Sequence, residues 1–496
     1  MTLRQIAALG GKLVSFLRRF SDCFGRSEPR ELLEVYVKGQ LSDLERKTAE
    51  AIALEFGEAP RTLQRFLESI KWNHERLRDD CQKLVAAEHS HPEAIGIVDE
   101  SGTRKSGNET VGVGRQWCGN VGKVDNSVVA VHLGYAARDF QCLLDSRVYL
   151  PEDRVNDAEH REKNHIPPEV CFHTKPQIAL DQIDRALRNG IRVAAWTADE
   201  FYGRNLTFLD GLEGWRQVFV VEVPADFHGW VRKPRVIRER PKTGRGQRKK
   251  YPRLVRRFPS AEVRNLLRYS PVFREKSWQR YRIKDTDKGP EVWDVKWSLF
   301  WRKSGEGLPG RRHCLIVARN VLTGEEKYFL SNRVPGEGRV AVRWLLRVAF
   351  GRWPVERCFR VAKKELGMDH YQVRGWDCLH RHFYLTQLSY LFCARIRLEY
   401  GDSEDRPTNR SVMDKELDTG RLTLEQVRGA TNAWLEAAGM TRQKRNERYE
   451  KELNYIRYHQ HRNDQARRSN IKATRKALTE LGIDPDRIKS CIPSGP

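Results

Sequence analysis

The sequence predicts an α/β fold in which a mixed-sheet core is interrupted by a β-rich insertion and flanked by helical regions at both ends. Three observations predict it. Residues 30–87 carry apolar side chains at helical spacing, residues 92–224 alternate short apolar runs with turn residues, and helical spacing returns after residue 340. At 496 residues the chain is long enough to form several domains with cores of their own.

The N-terminal residues 1–91 are predicted to form a helical domain. Residues 1–20 have the pattern of an amphipathic helix rather than a secretion signal, because Lys12, Arg18 and Arg19 interrupt or follow the apolar patch. Farther along, Gly57 and Pro60 separate two helices in a manner compatible with a helix-turn-helix. An ordinary helical bundle fits the same pattern equally well.

Residues 92–224 are predicted to form the first part of the core. Strands are expected at 94–99, 110–117, 123–134 and 140–150, followed by a helix over 176–188, a strand that ends at Asp199 and another over 217–223. Three antiparallel strands, a helix and a strand parallel to the first are the order of an RNase H-like core. In that core the first and fourth strands lie side by side, so Asp99 and Asp199 are expected to be neighbours.

The remaining chain divides into three predicted parts. Residues 225–338 form the β-rich basic insertion, with strands at 291–302, 314–321 and 327–332. Residues 339–400 form the second part of the core, with helices over 340–350, 355–365 and 379–399. Residues 401–496 form a C-terminal basic helical region, which begins with a polar linker and contains a long basic helix over 441–480 with a candidate break near Asn463.

Charge indicates a nucleic-acid partner. Lys and Arg total 90 against 66 Asp and Glu, a net charge of +24 that attracts polyanions. Residues 231–260 contain thirteen Lys or Arg and a single acid, with Pro and Gly residues that break any helix. This stretch is predicted to follow DNA phosphates through Arg245, Lys249 and Lys250, and a solvated insertion is the alternative.

Two function classes are excluded by composition. No stretch approaches the roughly 18 uninterrupted apolar residues of a membrane-spanning helix. The ten cysteines include no Cys-x-x-Cys pair, so neither a disulfide framework nor a zinc ribbon is indicated, and a reducing cytosol is the expected compartment.

Three acidic residues are the candidate catalytic residues and metal ligands. Asp99 and Asp199 each close an apolar run that is typical of a buried strand, and Glu356 lies on a helix that Pro354 opens. If the fold brings them together, their carboxylates offer the oxygen ligands that Mg²⁺ prefers and form a two-metal phosphodiester site. Taken singly, each is equally typical of a polar cap at a strand end or on a helix surface.

Six segments of the chain resemble insertion-sequence transposases of the DDE type. They are residues 98–102 (Val-Asp-Glu-Ser-Gly), 111–126, 147–151 (Arg-Val-Tyr-Leu-Pro), 172–176 (Phe-His-Thr-Lys-Pro), 198–203 (Ala-Asp-Glu-Phe-Tyr-Gly) and 352–376. The resemblance spans roughly residues 20–400, is weaker at residues 458–463, and points to the branch with a β-rich insertion before the final glutamate.

The resemblance implies roles for individual residues. Asp99 would bridge two Mg²⁺ ions per active site, with Mn²⁺ as a substitute, while Asp199 and Glu356 would each hold one ion. Arg352 and Lys363 would hold phosphates near the scissile bond. The tyrosine that accompanies them in this branch is replaced by Ala349, with Phe350 beside it, so its phosphate contact is not carried over. Further candidate DNA-binding residues are Arg115, Lys123 and Arg204.

The resemblance also implies a function and partners. The expected protein is a Mg²⁺-dependent DNA endonuclease and strand transferase that binds terminal inverted repeats, with residues 1–91 as the DNA-end-binding domain. Its partners would be double-stranded DNA, as transposon ends and as target, and a second copy of the chain when the ends are paired. It would be cytoplasmic and nucleoid-associated in a prokaryote. The alternatives are a catalytically silent DNA-binding protein that acts as a repressor or scaffold, and an RNase H-like nuclease acting in repair or on RNA.

Overall fold

The computed structural model describes residues 1–119, 121–239, 251–255, 258–338, 340–401 and 422–491. The chain divides into two compact units. The first unit contains Met1–Val193 and Trp353–Ala466, and the second contains Ala194–Arg352 and Arg467–Pro496. The predicted division into five domains is a different partition of the chain and stays a prediction.

The first unit opens with five helices, α1 to α5, followed by four strands, β1 to β4, and three further helices, α6 to α8. The helices are α1 Leu3–Arg18, α2 Ser27–Leu41, α3 Ala49–Glu55, α4 Pro60–Glu68, α5 His74–Glu88, α6 Glu152–Asn156, α7 Ala158–Lys163 and α8 Lys175–Arg188. The strands are β1 Ile95–Arg104, β2 Gly114–Cys118, β3 Lys123–Ala137 and β4 Phe140–Val148. Side-chain capping fixes several helix starts. Thr2 and Gln5 form a reciprocal capping box on α1, as Thr174 and Gln177 do on α8.

Strand β3 organises the sheet of the first unit. It pairs antiparallel with β2 along its first residues and with β1 and β4 along the rest, so that β1 and β4 flank it. The predicted strand over residues 110–117 is wrong at its start, because Gly112 has a positive φ of 70° and the Val111 amide donates to the Arg374 carbonyl instead of to a strand. β2 therefore begins at Gly114.

The second unit is built mainly from strands. Its elements are β5 Ala195–Ala198, α9 Glu200–Gly203, α10 Leu206–Gly214, β6 Val220–Val223, β7 His228–Trp230, β8 Val236–Ile237, β9 Arg253–Leu254, β10 Ala261–Glu262, α11 Val263–Tyr269, α12 Pro271–Arg274, β11 Gln279–Thr286, β12 Gly289–Lys303, β13 Pro309–Asn320, β14 Glu326–Ser331 and α13 Val342–Ala349. The large sheet has the strand order β10-β7-β12-β13-β14-β6, and β11 pairs antiparallel with the first half of β12. β5 and β6 run parallel through a bridge between Trp196 and Phe219.

The chain ends with α14 Trp353–Lys364, α15 Trp376–Gly401, α16 Leu424–Glu436, α17 Arg442–Glu480 and β15 Lys489–Ser490. α15 is buried along almost its whole length and contacts β4 and helices α2, α4, α5 and α16. Its polar side chains are paired inside the core, since His382 bonds the Tyr36 hydroxyl at 2.8 Å and Thr386 accepts from Gln40 at 2.8 Å. α17 is a single helix of 39 residues, without the candidate break near Asn463.

These elements confirm the predicted fold class, an RNase H-like α/β core with a β-rich insertion and helical regions at both ends. The insertion also contains two short helices, α11 and α12, which the sequence patterns did not predict. Among the helices of the described ranges, none combines the length and the apolar composition needed to cross a bilayer.

Candidate active site

Asp99 lies on β1 in the core of the first unit. The three residues before it, Gly96 to Val98, are buried, and Asp99 itself is only 7% exposed. One of its carboxylate oxygens, Oδ1, accepts from the Glu100 amide at 2.8 Å. An ionised carboxylate at such a depth is stable only with polar or cationic partners, so this position on a core strand suits a ligand better than a surface cap.

The residue opposite Asp99 on β3 is His132. Its ring is fully buried and bonds the Ser101 hydroxyl at 2.8 Å and the Ser146 hydroxyl at 2.6 Å. Burial, with a smaller contribution from the positive charge of Lys363, lowers the pKa of His132 to about 3. The imidazole is therefore neutral at physiological pH and brings no positive charge to Asp99.

Helix α14 carries Glu356 and Lys363 in the same unit. Glu356 is exposed and lies in the first turn of the helix, and α14 contacts β1, β3 and β4. The contact with β3 is close at Gly134, where an added Cβ would lie 3.1 Å from Val355. Phe359 on α14 packs on the His132 ring, with 4.8 Å between ring centroids. Glu356 and Asp99 thus stand on elements that pack against each other.

Lys363 points to β1. Its Nζ donates to the Gly102 carbonyl at 3.0 Å, and burial lowers the pKa of its ammonium group. The resemblance implies that Lys363 holds a DNA phosphate. The carbonyl bond fixes the ammonium three residues beyond Asp99 on the same strand, and the phosphate contact stays a prediction.

Asp199 belongs to the second unit, directly after β5. Its Oδ1 caps α9 by accepting from the Phe201 amide at 3.1 Å and the Tyr202 amide at 3.4 Å. Burial raises the pKa of Asp199, and the opposing effects come chiefly from Arg352 and these two amides. Burial thus disfavours the charged form of this carboxylate, and a bound cation would favour it together with Arg352 and the two amides.

Close packing fixes the short helix that Asp199 caps. Gly203 ends α9, and a Cβ at this position would overlap the Glu222 carbonyl oxygen on β6 and lie 2.9 Å from the carbonyl carbon. Only glycine allows α9 to approach β6 this closely. Gly203 therefore helps to hold the Asp199 carboxylate in place, a role that the sequence patterns did not reveal.

The candidate DNA-binding residues lie in different settings. Arg115 on β2 and Lys123 on β3 are exposed. Arg204 pairs with Asp226 at 3.0 Å on the surface of the second unit, and Arg352 is half-buried there. Arg245, Lys249 and Lys250 lie outside the described residues.

Comparison with known proteins places the chain in a family. The family model of the DDE superfamily endonucleases matches residues 19–290, more than half of the chain. The chain belongs to the DDE superfamily endonucleases. The match includes Asp99 and Asp199 and ends before Glu356.

A curated relative agrees with this assignment. The protein named "Probable transposase for insertion sequence element IS701", from Microchaete diplosiphon, is 32% identical to this chain over 170 residues, which cover 34% of the chain and 41% of the relative. The chain thus spans about two-fifths of the length of the curated relative it matches. The resemblance to insertion-sequence transposases of the DDE type is confirmed.

The three candidate acidic residues are distributed over both units. Asp99 and Glu356 stand in the first and Asp199 in the second. Within the described ranges, no three His, Cys, Asp or Glu side chains form a group that could hold a metal ion. The convergence of Asp99, Asp199 and Glu356 on shared ions, like the pairing of β5 with β1, stays a prediction.

The chemistry of the residues nevertheless fits Mg²⁺. All three offer carboxylate oxygens, the hard ligands that this ion selects. Asp199 fits a metal ligand most clearly. Burial raises its pKa and so disfavours its negative charge, which a divalent cation would stabilise.

A polar network beside Asp99, on the same face of the sheet, was not predicted from the sequence. Ser101, His132, Ser146 and Gln387 link β1, β3, β4 and α15 through successive side-chain hydrogen bonds. A signal was present, since His132 interrupts the apolar residues 128–133 of a strand predicted to be buried. A fully buried histidine needs partners for both ring nitrogens, and the network that provides them holds the strand that carries Asp99.

Proposed function

We propose that this protein is a metal-dependent DNA transposase that binds the terminal inverted repeats of its element, cuts the DNA strands and joins them to target DNA by a cut-and-paste route. The observation that carries the proposal is the desolvated Asp199 carboxylate at a strand end, in a DDE endonuclease whose buried Asp99 occupies the core strand β1.

The three carboxylates would act as ligands. Asp99, Asp199 and Glu356 would hold Mg²⁺, or Mn²⁺ in its place, with two ions per active site. Bound ions of this kind activate a water or 3′-hydroxyl for attack on a phosphodiester and stabilise the departing oxygen. The protein supplies no nucleophile of its own in this scheme, so the same residues serve both cleavage and strand transfer.

Neighbouring cations would tune and position the reacting groups. Arg352 favours the ionised form of Asp199, since its charge opposes the effect of burial on the pKa. The same guanidinium can hold a DNA phosphate bidentately. Lys363, fixed on the Gly102 carbonyl, would supply a second cation beside β1.

DNA binding would draw on the basic charge of the whole chain. The net charge of +24 supports association with double-stranded DNA, both as transposon ends and as target. The N-terminal helices would recognise the ends, and two copies of the chain would pair them as a homodimer.

The proposal is tested by a cleavage assay on DNA that carries the ends of the element, with and without Mg²⁺. Wild-type protein is expected to cut only with the ion, and Asp99→Asn, Asp199→Asn and Glu356→Gln are each expected to reduce cleavage to background. Glu159→Gln is the matched control, because Glu159 is likewise an exposed acid in the first turn of a helix. If metal-dependent cleavage survived Asp99→Asn, the assignment of Asp99 as a catalytic metal ligand would be refuted.

A further inference from the structure

An open cleft of about 670 Å³ lies at the β2 edge of the sheet in the first unit. It is bounded by β2, the adjoining part of β3 and the chain that follows β4, and this volume is within the range of small-molecule sites. Its lining includes Asn108, Arg115, Asn126, Tyr149, Asp153 and Arg154.

The cleft carries excess positive charge. Arg115 is exposed and takes part in no ion pair among the residues that the structure describes. Arg154 is oriented by a bond from its Nε to the Val113 carbonyl at 3.1 Å, and its second guanidinium nitrogen lies 3.7 Å from Asp157. Asp153 is the acid of the lining. Because Asp157 already lies against Arg154, the cation that favours a phosphate is chiefly the Arg115 guanidinium, with Arg154 beside it.

The amide and aromatic groups of the cleft are held in place. Asn126 donates through Nδ2 to the carbonyls of Lys105 and Gly107 at 3.0 and 3.1 Å, which leaves the amide oxygen as an acceptor. Gly112 brings its loop onto Tyr149, since a Cβ there would lie 2.7 Å from the Tyr149 carbonyl oxygen. The site is thus built before any ligand arrives, which lowers the entropic cost of binding.

An exposed tryptophan stands beside the cleft. Trp117 follows Arg115 by two residues and therefore lies on the same face of β2. It is 55% exposed, and its cross-strand partner Val124 is 50% exposed. A large indole kept in water next to a cationic cleft suits stacking on a nucleobase.

We propose that this cleft binds one unpaired nucleotide of the DNA. Arg115 and Arg154 hold its phosphate, and Trp117 stacks on its base. An unpaired nucleotide fits better than duplex, because a paired base presents only its edges whereas stacking needs the face of the ring. The inference rests on the proposed function, since it assigns a contact to the DNA on which the transposase would act.

The test uses full-length protein and two DNA duplexes, one blunt and one with a short single-stranded extension that carries a fluorescent purine whose emission falls on stacking. Wild-type protein is expected to bind the extended duplex at least about fivefold more tightly, which corresponds to the lower end of base–aromatic stacking, and to quench the purine. Trp117→Ala is expected to abolish both effects, and Trp117→Phe to keep most of each. Arg115→Ala is expected to reduce the slope of log K against log salt concentration on the extended duplex by about 0.7, which is the contribution of one single-strand phosphate.

Trp215→Ala is the matched control, because Trp215 is another exposed tryptophan, 38% exposed, in the second unit. It should keep both the preference and the quenching. Equal wild-type affinity for the two duplexes, or a preference that survives Trp117→Ala, would overturn the cleft assignment and leave DNA binding intact. Failure of wild-type protein to bind either duplex would overturn the proposed function together with the cleft.

Discussion

Gly203→Ala tests whether the approach of α9 to β6 positions Asp199. The added methyl group would overlap the Glu222 carbonyl oxygen and lie 2.9 Å from its carbon, and both atoms are backbone. Neither atom can rotate away as a side-chain end could, so α9 must shift. Overpacking of a core contact costs about 1–3 kcal/mol, and a backbone clash belongs at the upper end of that range.

We therefore predict that Gly203→Ala lowers the stability of the second unit by about 3 kcal/mol. For a unit of this size, this loss corresponds to a fall in Tm of about 6–12 °C. Thermal unfolding followed by calorimetry measures it, and hydrogen exchange of the α9 and β6 amides locates it. Cleavage activity is expected to fall as well, even below the melting range, because the shift moves the cap residue Asp199.

Gly214→Ala is the control for Gly203→Ala. Gly214 ends α10, and an added Cβ would have no neighbour within 4 Å. Alanine there is expected to be neutral or to stabilise the helix by up to about 1 kcal/mol. If Gly203→Ala melted like the wild type and cut DNA at the wild-type rate, the reasoning about the position of Asp199 would be refuted.

Three further predictions follow from charge. Asp199→Asn should abolish cleavage yet raise the stability of the folded protein at neutral pH by about 0.5–2 kcal/mol, because asparagine keeps the helix cap and removes a charge that burial disfavours. Denaturant unfolding without metal measures this change, and a loss of stability would contradict the prediction. His132 has a pKa of about 3 when folded and about 6.5 when unfolded, so its stabilising contribution is complete above pH 6.5 and declines as the pH falls toward 3, by up to about 1.4 kcal/mol per pH unit. When the free energy of unfolding is measured from pH 7 to pH 4, it should therefore depend less steeply on pH in His132→Gln than in the wild type. Replacing Arg245, Lys249 and Lys250 together by alanine should reduce the slope of log K against log salt on duplex DNA by about 2.7, and an unchanged slope would assign the phosphate contacts elsewhere.

Much of the fold could be predicted because the relevant signals are local. The alternation of apolar residues and turns predicted β1, β3, β4, β12, β13 and β14, although it missed β11, and Pro354 marked the start of the helix that carries Glu356. α10 was missed although Asn205 caps it through a bond from the Phe208 amide at 2.8 Å. One capping residue followed by a segment that mixes polar and apolar residues is not enough to predict a helix.

The environment of the acidic residues could not be predicted, because it depends on residues far apart in the chain. Asp199 and Glu356 are both plain carboxylates at the end of an element, yet one is desolvated and the other exposed. Burial raises the pKa of Asp199, the charge of Glu222 adds to this effect and the charge of Arg352 opposes it, and both of these residues are remote from Asp199 in sequence. Likewise, Phe350 packs on Trp293 and Phe329, with ring centroids 4.8 and 5.2 Å away, which explains why an aromatic residue at this position serves the core.

Manganese binding tests the central claim most directly, because it counts the ions that the carboxylates share without requiring catalysis. Electron paramagnetic resonance would measure free Mn²⁺ during titration of the protein bound to DNA ends, for the wild type, Asp99→Asn and the control Glu159→Gln. We expect two bound ions per chain in the wild type and the control, and loss of tight binding in Asp99→Asn, which lacks one of the proposed carboxylate ligands. Equal Mn²⁺ binding by the wild type and Asp99→Asn would contradict the assignment of Asp99, and with it the shared metal site.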